Sequence, residues 1–167
     1  MMRRMSPPNR LSRALARVER LPAPLRTWAR SIAIGRVIPF VGTAGLRIER
    51  LDRERCVIVL PNRRKVQNHI GGVHATATAL LAETATGMAV GMHLPDDKLP
   101  LLKRLGVDYL KRAEGAVRAE AWLPPADAAR MRDDPKGDVV VPVTVTDSQG
   151  TVTVECAMCW AWVPKRR

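Results

Sequence analysis

The sequence predicts an α+β fold: an antiparallel sheet of about six strands wrapped around one long central helix, preceded by short N-terminal helices. Three observations predict it. From His69 to Pro95, Glu83 is the only Asp, Glu, Lys or Arg residue, so this stretch reads as one helix that is apolar almost all round and must be enclosed. Two short strand-like runs precede it and four follow, enough antiparallel strands to enclose a helix. The chain has 167 residues, 46% of them hydrophobic, which suits one domain with a real core.

Each element has its own signal. In residues 9–21, Leu11, Leu15, Val18 and Leu21 form one helical stripe beside Arg10, Arg13, Arg17 and Arg20; Pro22 and Pro24 end it. A second helix over about 24–36 turns Leu25, Trp28 and Ile32 inward, and VIPFVGTAG (37–45) reads as an irregular connection. GLRIERL (45–51) and CVIVL (56–60) are strands around the turn DRER. The central helix spans about Gly72 to Met92. Strands follow at 101–111 and 115–124, kinked apart at RAEG, then a short helix and loop over 124–137. The last two strands, 138–147 and 151–164, form a hairpin through Ser148-Gln149-Gly150. Pro142 cannot donate to a ladder and places its segment at an edge or bulge.

The charge is uneven. Net charge is +12, and residues 1–36 hold nine arginines against Glu19 alone, a share of +8. Residues 1–40 therefore read as a basic helical arm and 41–167 as the folded domain. Such an arm reads first as a helix with a solvated, charged outer face; an acidic partner is the alternative, and peripheral contact of residues 1–36 with a membrane fits that alternative. Nucleic acid does not fit, because one Tyr, one Phe and four Trp give no stacking platform. Residues 69–95 are long enough to span a bilayer, but three histidines, Glu83, four threonines and four glycines make a buried helix the better reading. No apolar signal segment follows the first arginines, and the odd set Cys56, Cys156 and Cys159 fits a reducing compartment, so a cytoplasmic location is expected. Cys156 and Cys159 are three apart on a strand, on opposite faces, and neither chelate a metal nor pair easily.

The stretch NHIGGVHATATALLAE (68–83) carries the chemistry. It resembles the hotdog-fold thioesterases of the phenylacetic-acid-degradation type. In that family an Asn lies six residues before a His, a Gly three before it and a carboxylate nine after it; here these are Asn68, Gly71, His74 and Glu83. The resemblance covers about residues 40–163 and includes YLKRAEG (109–115) and the VTDSQGTV turn. With its arginine-rich lead-in, the chain is also similar to a branch of that superfamily known only as a domain of unknown function. It departs from the family where His-Gly-Gly is replaced by His74-Ala75-Thr76, where Glu83 stands for a common Asp, and where Arg112 replaces a Pro.

The resemblance implies a hotdog fold, acyl-CoA thioester hydrolysis at a dimer interface, and no cofactor beyond the coenzyme A of the substrate. The oxyanion donor would be the backbone N–H of Ala75. The residues allow the same chemistry. A helix N-terminus offers unpaired N–H groups and partial positive charge, Gly71 and Gly72 allow close approach, and Asn68 can donate to the same oxygen. Glu83 in apolar surroundings is a suitable general base. His74 shapes the start of the helix. Arg63, Arg64, Lys65, Lys111 and Arg112 are the candidates for coenzyme A phosphates. His69, His74 and His93 lack metal-ligand spacing. Nine residues along one helix put His74 and Glu83 on opposite faces, about 13.5 Å apart along the axis. A site using both ends of the motif then needs two subunits, in a homodimer or homotetramer. A non-catalytic acyl-CoA or fatty-acid binder is the second reading. Enoyl-thioester hydration or dehydration is a third reading, disfavoured because neither a His-Phe-Pro nor an Asp-x-x-x-x-His motif is present.

Overall fold

The computed structural model describes residues 8–166. Three helices come first: α1 (Arg10–Val18), α2 (Ala23–Val37) and α3 (Pro39–Ala44). Strands β1 (Arg47–Leu51) and β2 (Cys56–Leu60) lead through a single 3-10 turn, Arg64–Val66, to the long helix α4 (Ala75–Gly91). Then come β3 (Lys98–Tyr109), β4 (Val117–Ala121), α5 (Pro125–Asp133), β5 (Gly137–Val141), β6 (Val143–Asp147) and β7 (Val152–Pro164).

The sheet has seven strands in the order β1-β2-β4-β6-β7-β3, with β5 also paired to β7, and every pairing is antiparallel. Helix α4 packs against β2, β3, β4, β6 and β7, so the sheet encloses it as the apolar pattern requires. Leu81, Ala82, Ala85 and Val90 meet Ile58, Leu60, Val117, Ala119 and Met158 in the core. Fully burying a side chain such as Leu81 is worth roughly 1.5–3 kcal/mol. The helix threonines are tolerated there because their hydroxyls bond back along the helix. Thr84 Oγ1 donates to Leu80 O at 2.7 Å and Thr86 Oγ1 to Ala82 O at 2.9 Å.

Several expectations are corrected. The central helix begins at Ala75, because the chain from Asn68 to His74 is held in a hydrogen-bonded loop. VIPFVGTAG forms α3 and is not irregular: Pro39 sits at a first-turn position that needs no N–H, and Gly45 ends the helix at φ +76°. Gly42 of α3 faces Gly35 of α2, where a Cβ on Gly42 would stand 2.9 Å from Gly35 O. The single strand expected over 138–147 is two. Pro142 interrupts it, and its carbonyl accepts from Trp122 N at 3.3 Å while β5 stays with β7 and β6 moves between β4 and β7. Leu25, Trp28 and Ile32 face away from the core; the inward face of α2 holds Arg30 and Ile34. Arg30 reaches Glu49 O at 2.5 Å and pairs with Glu19, while Ser31 Oγ accepts from Ile48 N at 2.9 Å, and these bonds seat α2 on β1. Residues 1–7 of the expected arm lie outside the described residues.

Candidate active site

The loop entering α4 builds the site from backbone and amide groups. Asn68 Oδ1 accepts from Ile70 N and from Gly72 N, both at 3.1 Å. Those two bonds identify the oxygen end of the amide and leave Nδ2 as a donor with no partner among the described residues. Gly71 takes φ +75°, a conformation that favours glycine, and Asn62 Nδ2 donates to its carbonyl at 3.1 Å. His74 N donates to Val66 O at 2.8 Å, closing the loop.

His74 is the N-cap of α4: its Nδ1 accepts from Thr76 N at 3.1 Å. This leaves the preceding donor, Ala75 N–H, without a partner among the described residues, as the first turn of a helix leaves its N–H groups. A cavity of about 380 Å³ lies here, lined by Asn68, Gly72, Ala75, Thr78, Tyr109 and Thr153. Lys111 and Arg112 also line it. The Tyr109 hydroxyl donates to Ala75 O at 2.6 Å, tying the end of β3 to the first residue of α4. Thr153 is fully buried, and its hydroxyl has no hydrogen-bond partner among the described residues.

The sequence-selected residues thus separate into groups. Asn68, Ala75, Lys111 and Arg112 share the cavity wall. Gly71 lines a neighbouring depression together with Arg112. Arg64 and Lys65 stand exposed on the 3-10 turn, and Arg63 lines a different groove, beside α2. Glu83 is half-buried on α4, about two and a half turns beyond His74, and does not line the cavity. Burial raises its carboxyl above the usual carboxylate range, against a weak opposing contact from the Thr84 hydroxyl at 3.4 Å. No cation pairs with it among the described residues.

Other candidate chemistry is quiet. Among the described residues no group of three His, Cys, Asp or Glu side chains is placed to hold a metal ion. His93 Nε2 lies 2.9 Å from Arg53 O, and burial lowers its pKa. Burial pushes the Cys156 thiol up to about 11, which disfavours the thiolate a nucleophile needs. Tyr109, Thr78 and Thr153 are the polar cavity residues that sequence reasoning missed. Tyr109 is the chain's one tyrosine, but its meeting with Ala75 is set by sheet pairing and carries no local signal.

A seven-stranded antiparallel sheet wrapped on one long helix is the hotdog architecture. Solved structures share the architecture. One is a protein of unknown function from Pseudomonas aeruginosa whose name carries the label Probable Thioesterase; it is 25% identical, with 87% of this chain and 97% of that chain covered and a TM-score of 0.73. A thioesterase from Haemophilus influenzae is 15% identical, with 75% and 82% covered and a TM-score of 0.62. A mutant thioesterase from Staphylococcus aureus is 19% identical, with 75% and 99% covered and a TM-score of 0.62. The chain belongs to the family Domain of unknown function (DUF4442), whose model matches residues 26–163. No curated protein matches it. Among the described residues no helix is long and apolar enough to cross a membrane.

Proposed function

We propose that the protein hydrolyses an acyl-CoA or related thioester at a site shared between two copies of the chain. The observation that carries this reading is the pair of unpartnered donors, Asn68 Nδ2 and Ala75 N–H, on the wall of one cavity. Donors fixed before the reaction stabilise an oxyanion without reorganising. The thioester carbonyl oxygen sits between them. Glu83 of the partner subunit takes a proton from water, whose oxygen attacks the carbonyl carbon. The tetrahedral intermediate expels the thiolate, which takes up a proton, and the products are a carboxylic acid and free thiol. The buried Thr153 hydroxyl is a further polar group available to the bound substrate. Lys111 and Arg112, on the same wall, are placed for the phosphates of coenzyme A.

The shared site is supported by two features. Within one chain, Glu83 is about 13.5 Å along the axis from His74 and half a turn away. Strand β3 ends the sheet, and its 12 residues expose Leu99, Leu101 and Leu105 along an edge with no strand partner among the described residues. A long apolar edge is a pairing hazard unless something covers it, and a second copy of the chain covers it under two-fold symmetry.

The test is release of free thiol from acyl-CoAs of graded chain length. Wild-type protein is expected to release thiol and Glu83→Ala to lose roughly 10²–10⁴-fold in turnover. Binding of acyl-CoA with no thiol release would make the protein a binder and end the hydrolase reading. Full turnover by Glu83→Ala would end the role given to Glu83.

A further inference from the structure

Helix α2 is apolar on both sides. Its buried face holds Arg30 and Ile34, while exposed Leu25, Trp28 and Arg36 and half-buried Ile32 form a stripe on the other side. Trp28 is 64% exposed and Leu25 49%, whereas Trp160 and Trp162 are buried in the core. The indole N–H of Trp28 has no hydrogen-bond partner among the described residues. Exposed Trp and Leu on one helix cost solubility unless the face serves contact.

A groove of about 620 Å³ runs beside this stripe and is lined by Trp28, Ile32, Arg36, Arg47 and Arg63 among others. The three guanidinium groups are exposed, and none has a carboxylate within ion-pair distance among the described residues. Other exposed arginines, among them Arg17, Arg20, Arg64, Arg104 and Arg112, also lack a carboxylate partner among the described residues, but here three line one groove beside exposed Trp28. This face therefore sets unpaired positive charge next to exposed apolar area. Helix α2 packs on β1, which lies at the opposite end of the sheet order from β3. A dimer built on the β3 edge leaves this face open.

We propose that α2 and its groove dock the protein peripherally on an anionic phospholipid surface. A ring and aliphatic side chains at the headgroup boundary lose contact with water, and arginines hold phosphates through paired N–H donors. Nucleic acid offers the phosphates but no acyl layer for Leu25 and Ile32. An acidic bilayer satisfies both halves of the patch at once.

The test is co-sedimentation of the full chain with phosphatidylcholine vesicles, with and without phosphatidylglycerol, at low and high salt. Binding is expected only with phosphatidylglycerol and should weaken as salt rises. The triple variant Arg36→Ala, Arg47→Ala, Arg63→Ala should bind roughly a hundredfold more weakly, given about tenfold or less per arginine. Tryptophan fluorescence should shift to the blue on vesicles, and Trp28→Phe should abolish the shift. Absence of binding by wild-type protein, or undiminished binding by a triple variant of unchanged melting temperature, overturns the proposal. So does a drop in sedimented mass for Trp28→Asp without vesicles, which would assign the face to a second copy of the chain.

Discussion

The Tyr109 hydroxyl donates to the carbonyl of Ala75 at 2.6 Å. It joins the last residue of an edge strand to the first residue of the central helix, the residue whose N–H lines the cavity. Tyr109→Phe removes this bond and nothing else. Net loss of one such bond costs about 0.5–1.5 kcal/mol, so the melting temperature should fall by roughly 1–6 °C. Turnover should fall more than stability does, because the donor's position depends on the anchored turn. Thermal unfolding and thiol-release assays on the same variant check this. Unchanged turnover would mean that the first turn of α4 holds its place without Tyr109.

What the sequence made legible follows from what is local. The central helix, its cap at His74 and the final hairpin announce themselves through apolar run length, a capping residue and Gly150. Asn68 and Glu83 could be picked out because the motif is contiguous. Helix α3 is hidden because Pro39 and Gly42 lie within its short sequence, yet Pro39 suits a first turn and Gly42 allows the close approach to Gly35 of α2. The orientation of α2 was misread for a related reason. Periodicity distinguishes two faces of a helix, but Arg30 is buried only because Glu19 and the Glu49 carbonyl wait for it. Tyr109 and Thr153 reached the cavity through strand register, which no short window of sequence contains.

Gly87 tests the tightness of the sheet around its helix. A Cβ there would lie 2.7 Å and 2.8 Å from Cζ2 and Cη2 of Trp160. That ring is buried and held by its indole N–H, which donates to Thr86 Oγ1 at 2.9 Å. Overpacking costs typically about 1–3 kcal/mol, while Ala gains about 1 kcal/mol over Gly in a helix interior. The overpacking should win, and Gly87→Ala should melt at a lower temperature than wild type. Calorimetry decides it: a raised melting temperature would show that Trp160 swings aside at no cost.

Glu83 should couple stability to pH in a defined sense. Burial raises its folded-state pKa, so the neutral acid is the form the fold prefers. Below the ordinary carboxylate range it is protonated folded and unfolded, and no penalty arises. As pH rises through the raised folded value, the half-buried group ionises and that stability is lost. Glu83→Gln should therefore raise the melting temperature at neutral pH and raise it less in acid. The same ionisation should set the acid limb of the thiol-release profile, with a midpoint above that of a free glutamate. A constant difference between Glu83→Gln and wild type at all pH values would show that burial does not control this group.

Asn68→Asp isolates the donor. Aspartate keeps the oxygen that accepts from Ile70 N and Gly72 N, so the loop should survive, but it replaces Nδ2 with a second acceptor. Loss of an oxyanion donor costs roughly 10²–10³-fold in turnover, and the melting temperature should change little. The variant also tests whether the site is shared. An Asn68→Asp chain supplies an intact Glu83, and a Glu83→Ala chain supplies an intact Asn68. If each site takes one group from each chain, a mixed dimer holds one intact site and one doubly broken site. Random mixing makes about half the dimers mixed, so two inactive preparations unfolded and refolded together should recover roughly a quarter of wild-type activity. If both groups act within one chain, no mixture recovers any. The recovery experiment reads the arrangement directly, since neither variant alone can distinguish a shared site from a broken one.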